Sequence, residues 1–518
     1  MGASKKKETL MPQRILISVG LAVLAGIRSL SCVQHLLLPA LCTILCHPSI
    51  HPSVQAGDVE LIGRSTVDHK TLTFAEGPAA RFAGTVNGRS HQQEPLTTYR
   101  GYQYVTYVDA ERRICVGRRK LPSGAWEIVQ FKDHKLESND AHNTSVIGIC
   151  DNDGTIHMAF DHHATQLNYR VSVRGAAHHP GSVKWDAELF GGVTHTLGSV
   201  IPEERVTYPR FFAAPDGDLM LYYRSVTSGN GDGMIEKYDG KSHDWSAGFG
   251  KFISRDIGTY TAGERTSLYR CPYMNCLSFA GDRLHASWVW RERFEKTNPA
   301  NQHDLCYVYS DDLGRTWLNS AGKVIGKTGQ EYVHLNSPGL VVAPISFAAR
   351  VANQNTQYAY DDGSIHVVMR HRLDGTYARG YRHYWRNKTG AWDHKVLPCS
   401  GARPKLVGAP DRSLFLVFSD EVEDTDQDEL FIYKGIPNPD QTGWSWSEVE
   451  LPSRESVCGE PLIDTQRWNT EQVLSIYVQE KPARKIRTRL VKPVDGFASP
   501  LHVLDFRIVE HANKQSKP

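Results

Sequence analysis

Neither sign of charge is in excess: 59 Lys and Arg stand against 57 Asp and Glu, a formal net charge of +2. That balance argues against nucleic-acid binding, which normally goes with a large basic excess. No stretch rich in Ala, Glu, Lys and Leu repeats with a helical period, which excludes a coiled coil. No apolar run reaches the ~20 residues that span a bilayer comfortably. Cysteine is too sparse for a dense disulfide framework. After Cys32, Cys42 and Cys46 come Cys115, Cys150, Cys271, Cys276, Cys306, Cys399 and Cys458, an odd set without regular spacing. One or two bridges plus some buried free thiols are expected. Neither G-x-S-x-G nor H-E-x-x-H occurs, so a nucleophile elbow and a zincin helix are both missing. What is present is a chain able to bury a core, 40% hydrophobic and 22% charged. Its 43 Gly, 22 Tyr and 11 Trp favour a turn-rich β protein.

Residues 1–57 differ from the rest. Lys5, Lys6, Lys7 and Arg14 precede an apolar run from Ile15 to Ile27, and a second runs from Leu36 to Cys46. A basic flank before a short apolar segment reads as a secretory signal, with small residues at Val54-Gln55-Ala56 for cleavage. The alternative is a signal anchor that leaves the protein on a membrane. A secreted protein is the expectation, with one catalytic domain over residues 58–518. Asn143-Thr144-Ser145 and Asn387-Lys388-Thr389 are glycosylation sequons; a glycan is not expected at Asn143, beside a candidate site residue.

From residue 100 one pattern recurs. Val146–Cys150 turns at Asn152-Asp153-Gly154 into Ile156–Phe160, and Pro209–Phe212 turns at Asp216-Gly217 into Leu219–Tyr222. Leu277–Phe279, Tyr358–Tyr360 and Lys405–Val407 do the same around Gly281-Asp282, Asp361-Asp362-Gly363 and Pro410-Asp411. Weaker copies lie near Asp109 and Asn469. Alternating apolar runs joined by Asp-Gly turns are hairpins. Seven of them at a spacing of about 60 residues point to a propeller. A later polar-aromatic strand in each unit, such as Leu167–Arg170 or Cys306–Tyr309, completes four strands per blade. The expectation is therefore an all-β chain: a seven-bladed β-propeller with four-stranded antiparallel blades. Ser310-Asp311-Asp312-Leu313-Gly314-Arg315-Thr316-Trp317 fills the Asp-box pattern S-x-D-x-G-x-T-W, a hairpin signature that marks architecture and no catalysis.

The polar residues of interest gather at strand ends. His142 precedes one strand of a hairpin, and Asp161-His162-His163 follows its partner. Alternation places His162 and His163 on opposite faces, so one of them meets His142. In the next unit Tyr208 opens a strand and Arg224 closes its hairpin partner, which makes them neighbours. No paired carboxylates stand out there, which disfavours a two-carboxylate glycosidase. Arg, His and Tyr suit proton abstraction beside a carboxylate. A guanidinium on the carboxylate of a uronic acid stabilises the enolate-like transition state formed on loss of H5. One group removes that proton and another protonates O4, so the sugar is eliminated.

The string from Asp153 to His163, followed by Leu167-Asn168-Tyr169-Arg170, resembles the BNR-4 propeller family. So do Thr207–Phe212, Tyr223-Arg224-Ser225 with Gly229–Asp232, and Leu284–Arg291. The resemblance implies polysaccharide lyases that act where rhamnose is linked to O4 of a uronate. It implies His142, His163, Tyr208 and Arg224 as the catalytic set, with histidine as base and Tyr208 as acid. His162, Arg210, Tyr269 and Arg291 are the substrate contacts it suggests. Family members also carry a structural Ca²⁺ or Zn²⁺; His285, His303 and Cys306 have zinc-ligand chemistry but no specific spacing. No cofactor is expected for catalysis. The expected activity is a lyase on the rhamnosyl-α-1,4-glucuronate linkage. The alternatives are an ulvan endo-lyase, an α-L-rhamnosidase on the same linkage, and a non-catalytic sugar-binding propeller. The expected partner is a polysaccharide containing uronate and rhamnose, with no nucleic acid and no partner protein implied. A sialidase is disfavoured, since no Arg-Ile-Pro motif appears near the start of the propeller.

Overall fold

The computed structural model describes residues 59–509 apart from 74–84, 137, 139, 203–204, 247, 295–300, 374–376, 388, 422–427, 440–442 and 482–497. The expected leader over residues 1–57 lies outside the described residues. Seven antiparallel sheets follow one another and make a seven-bladed propeller. The first blade runs Leu96–Tyr99, Tyr102–Val108, Arg113–Lys120 and Glu127–Lys135 from the innermost strand outward. The second is built on Ser145–Ile149 and Ile156–Phe160, the third on Val206–Ala213 and Leu219–Ser225. The fourth is built on Tyr269–Ala280 and Arg283–Arg293, the fifth on Thr356–Ala359 and Ile365–Arg372. The sixth is built on Lys405–Gly408 and Leu414–Glu421.

The seventh blade closes the ring. Its inner strands, Leu462–Ile463, Val473–Gln479 and Ala498–Ile508, come from the C-terminal part, and its outermost strand is Val59–Leu72. Val59 pairs with Ile508 and Leu72 with Ala498, so the two ends of the propeller are hydrogen-bonded to each other. The weak hairpin expected near Asn469 pairs Leu462–Ile463 with Val473–Gln479, and its connection is a short helix, Thr465–Glu471, whose N-terminus is capped by the Asp464 carboxylate.

Blade packing explains why the strands read as nearly continuous apolar runs. Successive side chains of a strand point to opposite faces of its sheet. In a propeller both faces meet another blade. Ile147 and Met158 therefore pack toward the first blade, while Val146 and Ala159 pack toward the third. One apolar cluster fills each of the seven gaps between neighbouring blades. At the Ser310–Trp317 turn, the Ser310 hydroxyl donates to Asp312 (2.7 Å) and accepts from the Gly314 amide, and the buried Trp317 indole donates to Thr328 (2.9 Å).

The seven described cysteines are all free, which overturns the expected bridges. Cys271 and Cys276 share the strand Tyr269–Ala280, the other five lie on separate elements, and all but Cys399 are buried. Asn143 is 3% exposed and donates to Asp161, which leaves no room for a glycan.

Candidate active site

The innermost strand of each blade starts at one end of the propeller and finishes at the other, where its connection to the second strand lies. His142, His163, Tyr208 and Arg224 all lie at the starting end, and the structure brings them together. Asp140, which the sequence reading passed over, organises them. Its Oδ1 accepts from the His142 backbone amide (3.1 Å) and pairs with His142 Nδ1, while its Oδ2 pairs with His163 Nδ1. The two imidazoles stack with centroids 4.2 Å apart. An ionised carboxylate only accepts, so both Nδ1 atoms carry a proton, and in the neutral ring it is Nε2 that keeps the lone pair. No described group bonds to Nε2 of either ring.

Backbone bends deliver these side chains. Asp161 (φ 63°) and Ala164 (φ 60°) lie in the left-handed region, on either side of His162 and His163. The strand His163–Thr165 then joins the third blade's sheet, with His163 opposite Thr207. The register slips between Thr207 and Arg210, and Tyr208 sits in that bulge at φ 54°. A bulge re-aims the side chain it carries. Tyr208 turns toward the histidines, its ring 5.9 Å from His163 and 6.0 Å from His142. Thr207 also pairs with Arg224, which fixes the guanidinium next to the phenol.

Arg224 is 1% exposed. Its Cζ lies 4.9 Å from the ring centroids of both Tyr208 and Tyr273. Nη1 lies 3.9 Å from the Cys271 sulfur, and Nε and Nη2 are buried without a hydrogen-bond partner. No carboxylate among the described residues pairs with it. A guanidinium stays protonated in proteins, so this is a buried cation to which no described carboxylate is paired.

Electrostatics set the resting protonation states. Burial pushes the Asp140 carboxyl up, but the hydrogen bonds from His142 and His163 outweigh it and hold it far below the usual range. Burial lowers the His142 pKa; Asp140 opposes this, and His163 and Arg224 reinforce it. Burial raises the Tyr208 phenol well above its ordinary value, Tyr273 adds to this, and Arg224 opposes it. At neutral pH the site thus holds a neutral imidazole with a free Nε2 beside a protonated phenol.

Four further residues border the site. His91 lies 4.8 Å from His142 and 5.5 Å from Tyr208, with burial keeping it neutral. Its segment is pinned from the seventh blade by Glu460, which accepts from the Ser90 amide (2.8 Å) and from Arg403 (2.8 Å). Tyr273 sits four residues along the strand from Tyr269, hence on the same face. Arg291 is half-buried, its Cζ 5.8 Å from the Tyr273 ring, and Tyr269 is exposed at the start of that strand. The signal for Asp140 was the D-x-H spacing, which permits a turn in which the acid caps its own histidine.

Two expected contacts lie elsewhere. His162 is buried and turned away, its Nδ1 against Thr165 (3.1 Å) and its Nε2 against Asn168, as strand alternation requires of the neighbour of His163. Arg210 faces the central channel, paired with Glu94 (2.7 Å) and touching Cys276 Sγ (2.7 Å). It lines two cavities of about 530 and 710 Å³ bounded by the turn residues Gly217 and Gly281, away from the histidines.

The expected metal set does not assemble. His285 stands opposite Tyr309 and donates to or accepts from the Tyr307 hydroxyl (2.8 Å). His303 stands opposite Trp290, five residues further along, roughly 16 Å at 3.3 Å per residue. It is held by Glu292 (3.1 Å) and Asp304 (2.9 Å), and Cys306 is sealed opposite Trp288. The described residues with metal-ligand chemistry in one place are Asp140, His142 and His163, whose donor atoms lie within 4.8 Å of one another. Two imidazoles and a carboxylate fit a divalent ion such as zinc, though the geometry is already satisfied by shared protons.

Two histidines, a tyrosine and an arginine without a described carboxylate partner thus meet at one mouth of a seven-bladed propeller. The chain belongs to the BNR repeat-containing family, whose model matches residues 102–398. It is similar to the long-isoform ulvan lyase of Alteromonas sp. (strain LOR), 27% identical over 269 residues that cover 44% of this chain and 26% of that one. The short isoform from the same strain is 26% identical over 273 residues, 44% and 50% of the two chains. The matched region thus spans about a quarter to a half of those relatives. Among solved structures, the polysaccharide lyase Uly1 superimposes with a TM-score of 0.64 at 17% identity, covering 87% of this chain and 100% of that one. A PL25 ulvan lyase bound to -[GlcA(1-4)Rha3S]- gives 0.58 at 13% identity, covering 86% and 94%. These likenesses establish the shared fold.

Proposed function

We propose that this protein is a polysaccharide lyase that cleaves the rhamnosyl-α-1,4-glucuronate linkage by β-elimination. The observation that carries the reading is Arg224, a buried guanidinium without a carboxylate partner, set beside two histidines and a tyrosine. A uronate carboxylate placed against it supplies the missing anion. Its charge neutralised, that carboxylate accepts the electron density that builds as H5 leaves. The Nε2 lone pair of a histidine oriented by Asp140 takes the proton from C5. The C5–H electron pair becomes the C4–C5 double bond, the C4–O4 bond breaks, and the Tyr208 hydroxyl protonates O4. No water is consumed. The names of the ulvan lyases, and the uronate–rhamnose ligand of one of the solved structures, support this substrate class.

We further propose that catalysis uses no metal and that the protein is exported through the basic-flanked apolar segment before residue 58, toward a polymer outside the cell. The test is incubation with gum arabic and with ulvan separately, following ultraviolet absorbance of the unsaturated product. Absorbance with either polymer supports elimination. Free rhamnose without absorbance points to hydrolysis, and neither product points to a sugar-binding propeller.

A further inference from the structure

The fifth blade carries a feature that the elimination chemistry does not use. Its second strand, Ile365–Arg372, ends at the same mouth of the propeller as the strand ends bearing Arg224 and Arg291. Arg372 stands directly opposite Arg379 across the sheet, and Arg370 opposite Tyr381. Residues directly opposite and two apart share one face, so Arg370, Arg372 and Arg379 crowd together. Arg350 joins them from the turn after Phe347–Ala349, which packs on this strand through the Ala352 amide and the Arg370 carbonyl (2.7 Å). Like charges directly opposite in a sheet are destabilising. No carboxylate among the described residues pairs with any of the four, and Arg370 Nε is buried without a partner. Burial and then Arg370, Arg350 and Arg372 depress the ionisation of Arg379. Beside them Arg372 covers the ring of Tyr377, which is 87% exposed.

The cluster is joined to the reaction centre. Arg403 donates to the Asn353 carbonyl (2.7 Å) and side chain (2.6 Å), in the segment that follows Arg350, and to Glu460 (2.8 Å), which holds the segment carrying His91. The cluster stands out on a protein whose net charge is only +2.

We propose that Arg350, Arg370, Arg372 and Arg379 form a second anion subsite that takes a further carboxylate or sulfate ester along an acidic polysaccharide chain. It rests on the lyase reading for its substrate class. It also makes the protein a binder of chain interiors, because an anion at the rim and a uronate on Arg224 belong to one continuous strand. Guanidinium forks match oxyanions in pairs, which relieves the repulsion that the empty cluster carries.

The experiment is affinity electrophoresis of the full chain through gels containing ulvan or chemically desulfated ulvan, at low and high salt. Arg372→Gln/Arg379→Gln is expected to weaken retardation about tenfold, from two partly screened contacts, and to flatten its salt dependence. Lys184→Gln/Lys241→Gln removes two exposed charges elsewhere and is expected to leave retardation unchanged. Arg350→Gln, an exposed single change, is expected to weaken it about threefold and serves if the double variant misfolds. Arginine-dependent retardation by desulfated ulvan assigns the subsite to carboxylates, and its restriction to native ulvan assigns it to sulfate esters. Either outcome supports the proposal. Equal retardation of wild type and arginine variants, or an equal loss in the lysine control, overturns it. Arginine-dependent binding without any unsaturated product would instead remove the lyase reading and leave the subsite standing.

Discussion

Replacing Asp140 by Asn tests the centre of the mechanism with the loss of one charge and almost no volume. Asp140 accepts from Nδ1 of both His142 and His163. An amide cannot do both: its oxygen accepts from one ring, but its NH₂ must donate to the other. The second imidazole is driven into the tautomer with the proton on Nε2, where it cannot take H5. If that ring is the base, turnover falls roughly a hundredfold to ten-thousandfold, the usual worth of a positioned general base. That corresponds to about 2.7–5.5 kcal/mol on the barrier. The pH profile carries an independent signature. Asp140 raises the His142 pKa against burial, so its removal lets that pKa fall further. The acid limb of kcat therefore moves to lower pH while the plateau drops. Initial rates of unsaturated product across the acid range, with near-ultraviolet circular dichroism to check the fold, decide the matter. A variant with near-normal kcat and an unmoved acid limb refutes the assignment of Asp140 as the positioning residue.

Arg224→Met should lower turnover by at least about a hundredfold, the scale for losing one preorganised charge-stabilising group. Its Tm should be unchanged or higher, because a desolvated cation without a partner is removed; a clear fall in Tm would show that the guanidinium has a structural role. Tyr208→Phe should abolish turnover with KM little changed, since the hydroxyl acts only as O4 departs; a retained rate removes it as the acid. Prolonged treatment with a chelator should leave the rate intact if Asp140, His142 and His163 share protons, whereas a loss restored by zinc would assign them as metal ligands. Trp317→Ala should destabilise the fold by about 3–5 kcal/mol, as expected for emptying a buried indole site, and a smaller loss would mean the turn packs independently of that ring.

How much of this was legible in the sequence depends on the range of the interaction. The hairpins at Asp153-Gly154 and Asp216-Gly217 are local, with the turn chemistry and the strands within a dozen residues, and they define the blades. The closure of the ring is not local. Val59 meets Ile508, and nothing in either strand names the other. The pairing of His142 with His163, and of Tyr208 with Arg224, followed from hairpin geometry because each pair lies at one end of one hairpin. Asp140 and His91 escaped notice for opposite reasons. An acid two residues before a histidine reads as a turn, and His91 reaches the site on a connecting segment whose path is set by Glu460, far along the chain. The zinc trio failed because ligand chemistry was counted without register. His285 and His303 lie on neighbouring strands, yet at opposite ends of them.

Two costs fall at the same place and together argue for a ligand there. Asp161, Ala164 and Val226 hold left-handed backbone angles without being glycine beside the cluster, and Tyr208 does so within it. Each such residue costs of the order of 1–3 kcal/mol. Glycine would remove the strain at any of them. A methionine would remove the buried charge of Arg224. Neither change is present, although the chain does place glycine where packing demands it, as at Gly117 against Ile128 and Gly148 against Phe211. Strain aims Tyr208 at the histidines, and desolvation leaves Arg224 without an anion beside it. A propeller held together by seven apolar gaps has no structural use for either. A sugar carboxylate entering this mouth meets the buried Arg224 guanidinium and, in the same motion, presents its neighbouring carbon to the oriented imidazole.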